Sequence, residues 1–135
     1  MARARIIVSD VMTPRPITAA PWDTLATAHT RMEAGRFRSL PVVQMNRLVG
    51  VLSDRDVLPF LGQRAEIPVK EVMTHAVVMV APQAPLDEAA QLMLRHKIGM
   101  LPVVRNDELV GIVTSTDILI AFVRLAAEMR NGEKS

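Results

Sequence analysis

The 135-residue chain contains no cysteine. It can therefore build no disulfide framework, no thiolate zinc site and no cysteine nucleophile, and thiol redox chemistry is excluded. Aromatic residues are almost as scarce: Trp22, Phe37, Phe60 and Phe122, with no tyrosine, are too few for the stacking platforms that single-strand binders use. An excess of charge of one sign is missing too. Sixteen Lys and Arg face fourteen Asp and Glu, a formal net charge of +2, so the sequence pI near 9.7 exaggerates the basic character and no nucleic-acid partner is expected. Long apolar runs are absent, since the longest, Ala76 to Ala81 and Ile118 to Val123, have six residues, against the roughly 18 that a spanning helix needs. Arg3 and Arg5 are followed only by Ile6, Ile7 and Val8 before polar Ser9, too short for a secretory signal. The expectation is a cytoplasmic protein with no membrane association.

What is present suits one folded unit. Half of the residues are hydrophobic and 22% are charged, which fits neither a disordered nor a collagen-like chain. The length is close to one domain at about 150 residues per domain. Charge is divided unevenly: residues 1–62 hold eight Arg against five acids, whereas residues 69–130 hold six bases against seven acids.

The chain repeats itself. Shifting it by 61 positions places Val11-Met12-Thr13 on Val72-Met73-Thr74, Pro21 on Pro82 and Met32 on Met93. Without a gap, Leu40-Pro41-Val42-Val43 then falls on Leu101-Pro102-Val103-Val104, Leu48-Val49-Gly50 on Leu109-Val110-Gly111, and Asp56 on Asp117. Each copy is too small to bury much core alone, so the two must fold against each other. The domain plan is an extension at 1–7, a first repeat at 8–64, a linker at 65–68 (with the hinge read over Gly62 to Pro68), a second repeat at 69–127 and a free polar tail at 128–135.

Within a copy the periodicity alternates. Leu25, Ala28, His29 and Met32 recur at helical spacing after Pro21, as do Leu86, Ala89, Ala90 and Met93 after Pro85, a residue suited to a first helical turn. Two short apolar runs follow in each copy, separated by Gln44 to Arg47 or Arg105 to Glu108, and read as hairpins with Asn46, Asn106 and Asp107 in the turns. Ser53 and Thr114 stand where a second helix should start. A short early strand near Pro16 to Ala20 or Ala76 to Ala81 completes the expected fold class, α/β, as two tandem β-α-β-β-α repeats packed with pseudo-two-fold symmetry.

The VMT run, the LPVV strand, the LVG strand and the Gly-x-x-Ser/Thr-x-x-Asp ending, twice over about residues 8 to 125, resemble a tandem pair of CBS (cystathionine β-synthase) domains, a Bateman module. The resemblance implies clefts between the copies that bind an adenosine-containing ligand (AMP, ADP, ATP or S-adenosylmethionine, sometimes a dinucleotide), and a role in regulation and energy sensing rather than catalysis. No cofactor is required, and Mg²⁺ enters only with a nucleotide.

The endings Gly50 to Asp56 and Gly111 to Asp117 place a hydroxyl and a carboxylate three residues apart at a strand-to-helix junction. One reading is a capping box, in which each satisfies an unpaired amide of the helix start. The other is a ligand site, in which the carboxylate takes ribose hydroxyls, as acids do in other nucleotide folds. By the resemblance, Asp56 and Asp117 hold ribose, Ser53 and Thr114 lie near ribose or phosphate, and Val51 and Ile112 wall the base. Also by the resemblance, Phe37 and Arg38 serve the Asp117 cleft, and Ile98 and Gly99 the Asp56 cleft, with Pro14 nearby. Arg36, Arg38 and Arg55 form a basic cluster that suits phosphate, or else a solvated charged face. The second copy has Ser115 and Thr116 where the first has Asp54 and Arg55, and Met79 and Gly99 replace Thr18 and Arg38, so unequal clefts are expected.

Other chemistry has little support. His29, His75 and His96 lack the i, i+3 or i, i+4 partner of a helical metal pair, and no nucleophile-base constellation or phosphate loop is visible, so neither a metal site nor an enzyme is expected. Met32 and Met93 read as core filler. Pro59 should shorten or bend the first copy's closing helix. Ile118, Leu119, Phe122, Leu125, Ala126 and Met129 make a broad apolar stripe on the second closing helix, from which a homodimer is expected. With no output domain in the sequence, signalling passes to an unidentified protein partner. The alternative is a structural dimerisation module that binds no ligand.

Overall fold

In the computed structural model, which describes residues 6–134, the two halves of the chain are built alike. Helix α1 (Val8–Val11) and strand β1 (Thr13–Pro14) precede helix α2 (Leu25–Gly35), the hairpin of β2 (Ser39–Gln44) and β3 (Arg47–Ser53), and helix α3 (Asp54–Val57). The second half begins with a 3-10 turn at Val69–Glu71 and continues with helix α4 (Leu86–His96), the hairpin of β4 (Met100–Arg105) and β5 (Glu108–Thr114), and helix α5 (Ser115–Lys134).

Helix α2 starts where the Thr24 hydroxyl accepts a hydrogen bond from the Thr27 amide at 3.1 Å, and it buries Leu25, Ala28 and Met32. Helix α4 buries Leu86, Ala89 and Met93 at the matching positions, and Pro85 caps it from outside in an extended conformation rather than sitting in its first turn. Both hairpins close on two residues of positive φ, Met45 and Asn46 in one and Asn106 and Asp107 in the other. Such turns match the right-handed twist of the strands. Asn and Asp enter that region readily, whereas Met45 does so at a cost of about 1–2 kcal/mol.

The expected early strands are reduced to single parallel bridges, Ala19 to Val42 and Val80 to Val103. In the first copy Pro16 has no amide to give, and the Arg31 guanidinium donates to the Thr18 carbonyl at 3.0 Å, which takes that group out of any ladder. The first strand is β1 instead, and it pairs with the other copy: Thr13 lies opposite Ile112 and Pro14 opposite Gly111. Thr74 bridges Val51 in the reciprocal place. Pro59 ends α3 after one turn and continues it as a 3-10 turn at Leu58–Phe60. Helix α5 carries its hydrogen-bonded turns through the polar ending to Lys134, so the expected free tail is helical over the described residues.

The cores cross over between the copies. One cluster gathers Leu25, Ala28, Met32, Leu40, Val42 and Leu52 of the first copy around Val69 of the second. The other gathers Leu86, Ala89, Met93, Leu101, Val103 and Val113 around Val8. Val8 and Val69 are both fully buried. The backbone fixes the exchange: the Val8 amide donates to Ala84 and the Ser9 amide to Pro82, at 2.8 and 2.9 Å, and the Val69 and Lys70 amides donate to Asp23 and Pro21, both at 2.8 Å. Burying each valine contributes about 1.5–3 kcal/mol to the partner copy. Residues 1–5 of the expected extension lie outside the described residues.

The crossing explains why the LVG strands carry glycine. A Cβ on Gly50 would stand 2.9 Å from the Thr74 carbonyl oxygen and 2.7 Å from the Met73 sulfur. A Cβ on Gly111 would meet the Thr13 carbonyl oxygen at 2.8 Å and the Met12 sulfur at 2.9 Å. In each case the VMT segment of one copy is laid across the central strand of the other. The two hairpins touch directly at Arg47 and Glu108, beside a Leu109 amide that donates to Asn46 at 3.0 Å. Beyond that point they diverge, and the gap holds the site.

Candidate functional site

The gap is a single cavity of about 1110 Å³ lined from both copies. β3 contributes Val51 and Ser53, β5 contributes Ile112 and Thr114, and the two crossing segments contribute Thr13 and Thr74. Of the residues expected to hold ligand, Phe37, Arg38, Val51, Ser53, Arg55, Asp56, Ile98, Gly99, Ile112 and Thr114 all reach this one space. Two do not. Pro14 faces Gly111 in the sheet and leaves the lining to Thr13. Asp117 lines a smaller cavity of about 220 Å³ with Asp10, Val11, Ile120, Ala121 and Arg124. At the position of Ala121 the first copy has Phe60, which packs on the first core.

Both strand-to-helix junctions are capping boxes. The Ser53 hydroxyl accepts from the Asp56 amide at 3.2 Å and the Asp56 carboxylate accepts from the Ser53 amide at 3.2 Å. In the second copy the Asp117 carboxylate accepts from the amide and the hydroxyl of Thr114 at 2.9 and 3.0 Å, and the Thr114 hydroxyl accepts from the Asp117 amide at 3.2 Å. All the carboxylate bonds fall on one oxygen, Oδ2, in each residue. Capping therefore fixes the orientation of both carboxylates while the second oxygen of Asp56 remains able to accept from a ligand in the cavity.

The residues just before β2 and β4 lie beside their own copy's junction, because the Asp54 amide donates to the Arg38 carbonyl at 2.8 Å and the Ser115 amide to the Gly99 carbonyl at 3.0 Å. Their side of the cavity carries the charge. Arg36, Arg38, Arg55 and Lys97 line it and are exposed, and among the described residues none of the four is in an ion pair. Asp54 and Asp56 are the carboxylates of the lining. Arg36 and Lys97, 61 positions apart, end α2 and α4 in the left-handed conformation with φ of 58° and 55°. Glycine is the usual residue there. A long cation at both positions costs about 1–2 kcal/mol of backbone strain, partly offset by the negative end of each helix dipole.

Thr13, Thr74, Ala76, Val77 and Val78 also line the cavity, and the sequence reading missed them as lining residues. The VMT identity between copies was visible, but not that each VMT segment serves the opposite strand. His29 lies 3.6 Å from Glu33 on α2, away from the cavity lining. No cluster of three potential metal ligands occurs among the described residues. No helix among them is long and apolar enough to cross a membrane.

Comparison with known proteins follows the same division. The CBS domain model matches residues 8–62 and again residues 69–124. A crystal structure of a candidate acetoin utilization protein from Vibrio cholerae is 41% identical, with a TM-score of 0.85 over 98% of each chain. The structure of CBSX2 in complex with AMP, a protein from Arabidopsis thaliana, is 30% identical, with a TM-score of 0.81 over 89% of this chain and 98% of that one. The CBS domain pair of protein MJ0100, solved with 5′-methylthioadenosine and S-adenosylmethionine, is 30% identical, with a TM-score of 0.79 over 88% of this chain and 97% of that one.

Proposed function

Because the chain belongs to the CBS-domain family as a tandem pair, we propose that its cleft binds an adenosine-containing ligand and that the bound state signals to a partner protein. The observation that carries this reading is the single cavity that joins the strand-to-helix junctions of both copies. A ligand there touches both hairpins at the end where they diverge, so it can favour one spacing of the copies over another. Asp56, oriented by its capping box, accepts ribose hydroxyls through its remaining oxygen, Val51 and Ile112 provide apolar walls for the base, and Arg38 and Arg55 reach the phosphate end. Solved relatives hold AMP in one case and 5′-methylthioadenosine with S-adenosylmethionine in another, which supports the same ligand class here.

A homodimer belongs to this reading. On α5 the side chains of Leu119, Phe122, Val123 and Met129 are all more than 60% exposed. Such a stripe calls for a cover, and a second copy offers an identical stripe.

A second reading is favoured by the capping boxes themselves. In each box the hydroxyl and the carboxylate satisfy amides of the helix start, so in this reading the junctions serve stability alone in a structural dimerisation module. Thermal unfolding separates the two readings. A ligand at 100 times its dissociation constant adds about 2.7 kcal/mol, or about 10 °C for a chain of this length. A shift with AMP, ADP, ATP or S-adenosylmethionine that is lost in Asp56→Ala supports the sensor. No shift with any of the four at millimolar concentration leaves the structural module.

A further inference from the structure

The cleft is unequal in charge, and the inequality bears on which adenosine compound it accepts. Arg36, Arg38, Arg55 and Lys97 converge on one cavity, with Asp54 and Asp56 as the opposing carboxylates. Among the described residues none of the four cations is in an ion pair, and no hydrogen bond ties their side chains to the protein. The guanidinium groups that do find carboxylates lie outside the cavity lining: Arg31 binds Asp23 at 2.7 Å and Arg47 lies 3.9 Å from Asp107. Two carboxylates against four cations leave the lining with an excess of positive charge.

A second observation is independent of charge counting. Arg36 and Lys97 occupy pseudo-equivalent left-handed positions that glycine or asparagine would fill without strain. Both positions line the same cavity, whereas Arg15 and Met45, left-handed as well, lie outside its lining. The second copy lacks counterparts of Arg38 and Arg55, having Gly99 and Thr116 instead, so the cations gather around the first copy's junction, with Lys97 from across the cleft.

From this we infer that the ligand of the cleft is a nucleotide bearing two or more phosphates, with its phosphate chain on Arg36, Arg38, Arg55 and Lys97, and that compounds without phosphate, S-adenosylmethionine among them, bind far more weakly. Guanidinium groups contact phosphate oxygens in pairs, and each added phosphate brings further acceptors within reach of an unpaired cation. S-adenosylmethionine offers a sulfonium and an ammonium against one carboxylate, which this wall repels. The inference rests on the adenosine reading above.

The test is isothermal titration of the full chain with adenosine, AMP, ADP, ATP, GTP and S-adenosylmethionine, with and without magnesium, at low and high salt. The expected result is an affinity that rises at least fivefold from AMP to ATP, weakens with salt for ATP but not for adenosine, and is at least tenfold lower for S-adenosylmethionine than for ATP. In the variant with Arg38→Gln and Arg55→Gln the ratio of ATP to adenosine affinity falls at least tenfold. Both side chains are exposed, and an unchanged melting temperature confirms the fold. Adenosine or S-adenosylmethionine binding as tightly as ATP, or a double variant that keeps the ATP preference, overturns the inference and leaves the adenosine reading standing. GTP binding as tightly as ATP overturns the adenosine reading and leaves the polyphosphate inference. Binding of none of these compounds overturns both.

Discussion

Replacing Gly50 with alanine adds one methyl group where the VMT segment of the second copy lies across the first copy's central strand. Its Cβ would stand 2.9 Å from the Thr74 carbonyl oxygen and 2.7 Å from the Met73 sulfur. The sulfur is the end of a flexible side chain and can turn away. The carbonyl belongs to a backbone fixed on both sides, since the Val51 amide donates to it at 3.0 Å and the Thr74 amide donates back to Val51 at 2.9 Å. The crossing segment must therefore lift, straining that pair of bonds. Overpacking of this kind costs about 1–3 kcal/mol. With an unfolding entropy of about 2.1 cal/mol/K per residue, the loss corresponds to a melting temperature lower by about 4–11 °C. Gly111→Ala repeats the experiment in the other copy, where the Thr13 carbonyl lies 2.8 Å from the added carbon. Differential scanning calorimetry of both variants is the assay. If neither melts more than about 1 °C below the parent, the crossing segments are not held against the central strands and the account of the LVG glycines is wrong.

Three more outcomes follow from the same geometry. Ser53→Ala and Thr114→Ala each remove a cap and should lower stability by about 1 kcal/mol in urea titrations; an unchanged midpoint for both would mean that the boxes do not hold the helix starts. Val8→Ala should destabilise the second copy and Val69→Ala the first, each by about 2 kcal/mol and with one unfolding transition, because each valine completes the other copy's core; two separate transitions in calorimetry would show that the copies fold independently. Phe122→Asp should convert a dimer to a monomer in light scattering at micromolar concentration, and a parent chain that is already monomeric would remove the dimer from the account.

The residues that repeat at helical or strand spacing were legible in the sequence because burial alone selects them: Leu25, Ala28 and Met32, and their partners Leu86, Ala89 and Met93, are buried where the spacing placed them. The capping boxes were legible as well, since Ser53 and Asp56 act over three residues. What the sequence could not show is set by contacts distant along the chain. The periodicity of Ile6 to Pro14 does not reveal that Val8 belongs to a core some 80 residues away, nor does that of Pro16 to Ala20 reveal that Arg31 takes the Thr18 carbonyl out of the early strand. The expectation for Asp117 rested on equivalence between the copies; Asp117 lines a separate small cavity together with Ala121, at whose position the first copy has Phe60 packed on its core. Left-handed φ at Arg36 and Lys97 was likewise invisible, since neither residue type signals it.

The proposed nucleotide site is the one cavity shared by both copies, with Asp56 at its ribose end. The most direct measurement is a crystal structure of the full chain grown with ATP. The expected density is adenosine between Val51 and Ile112, a ribose hydroxyl on Asp56, and phosphates among Arg36, Arg38 and Arg55. A structure from ligand-saturated crystals with the nucleotide bound elsewhere, or with the cleft empty, would contradict it.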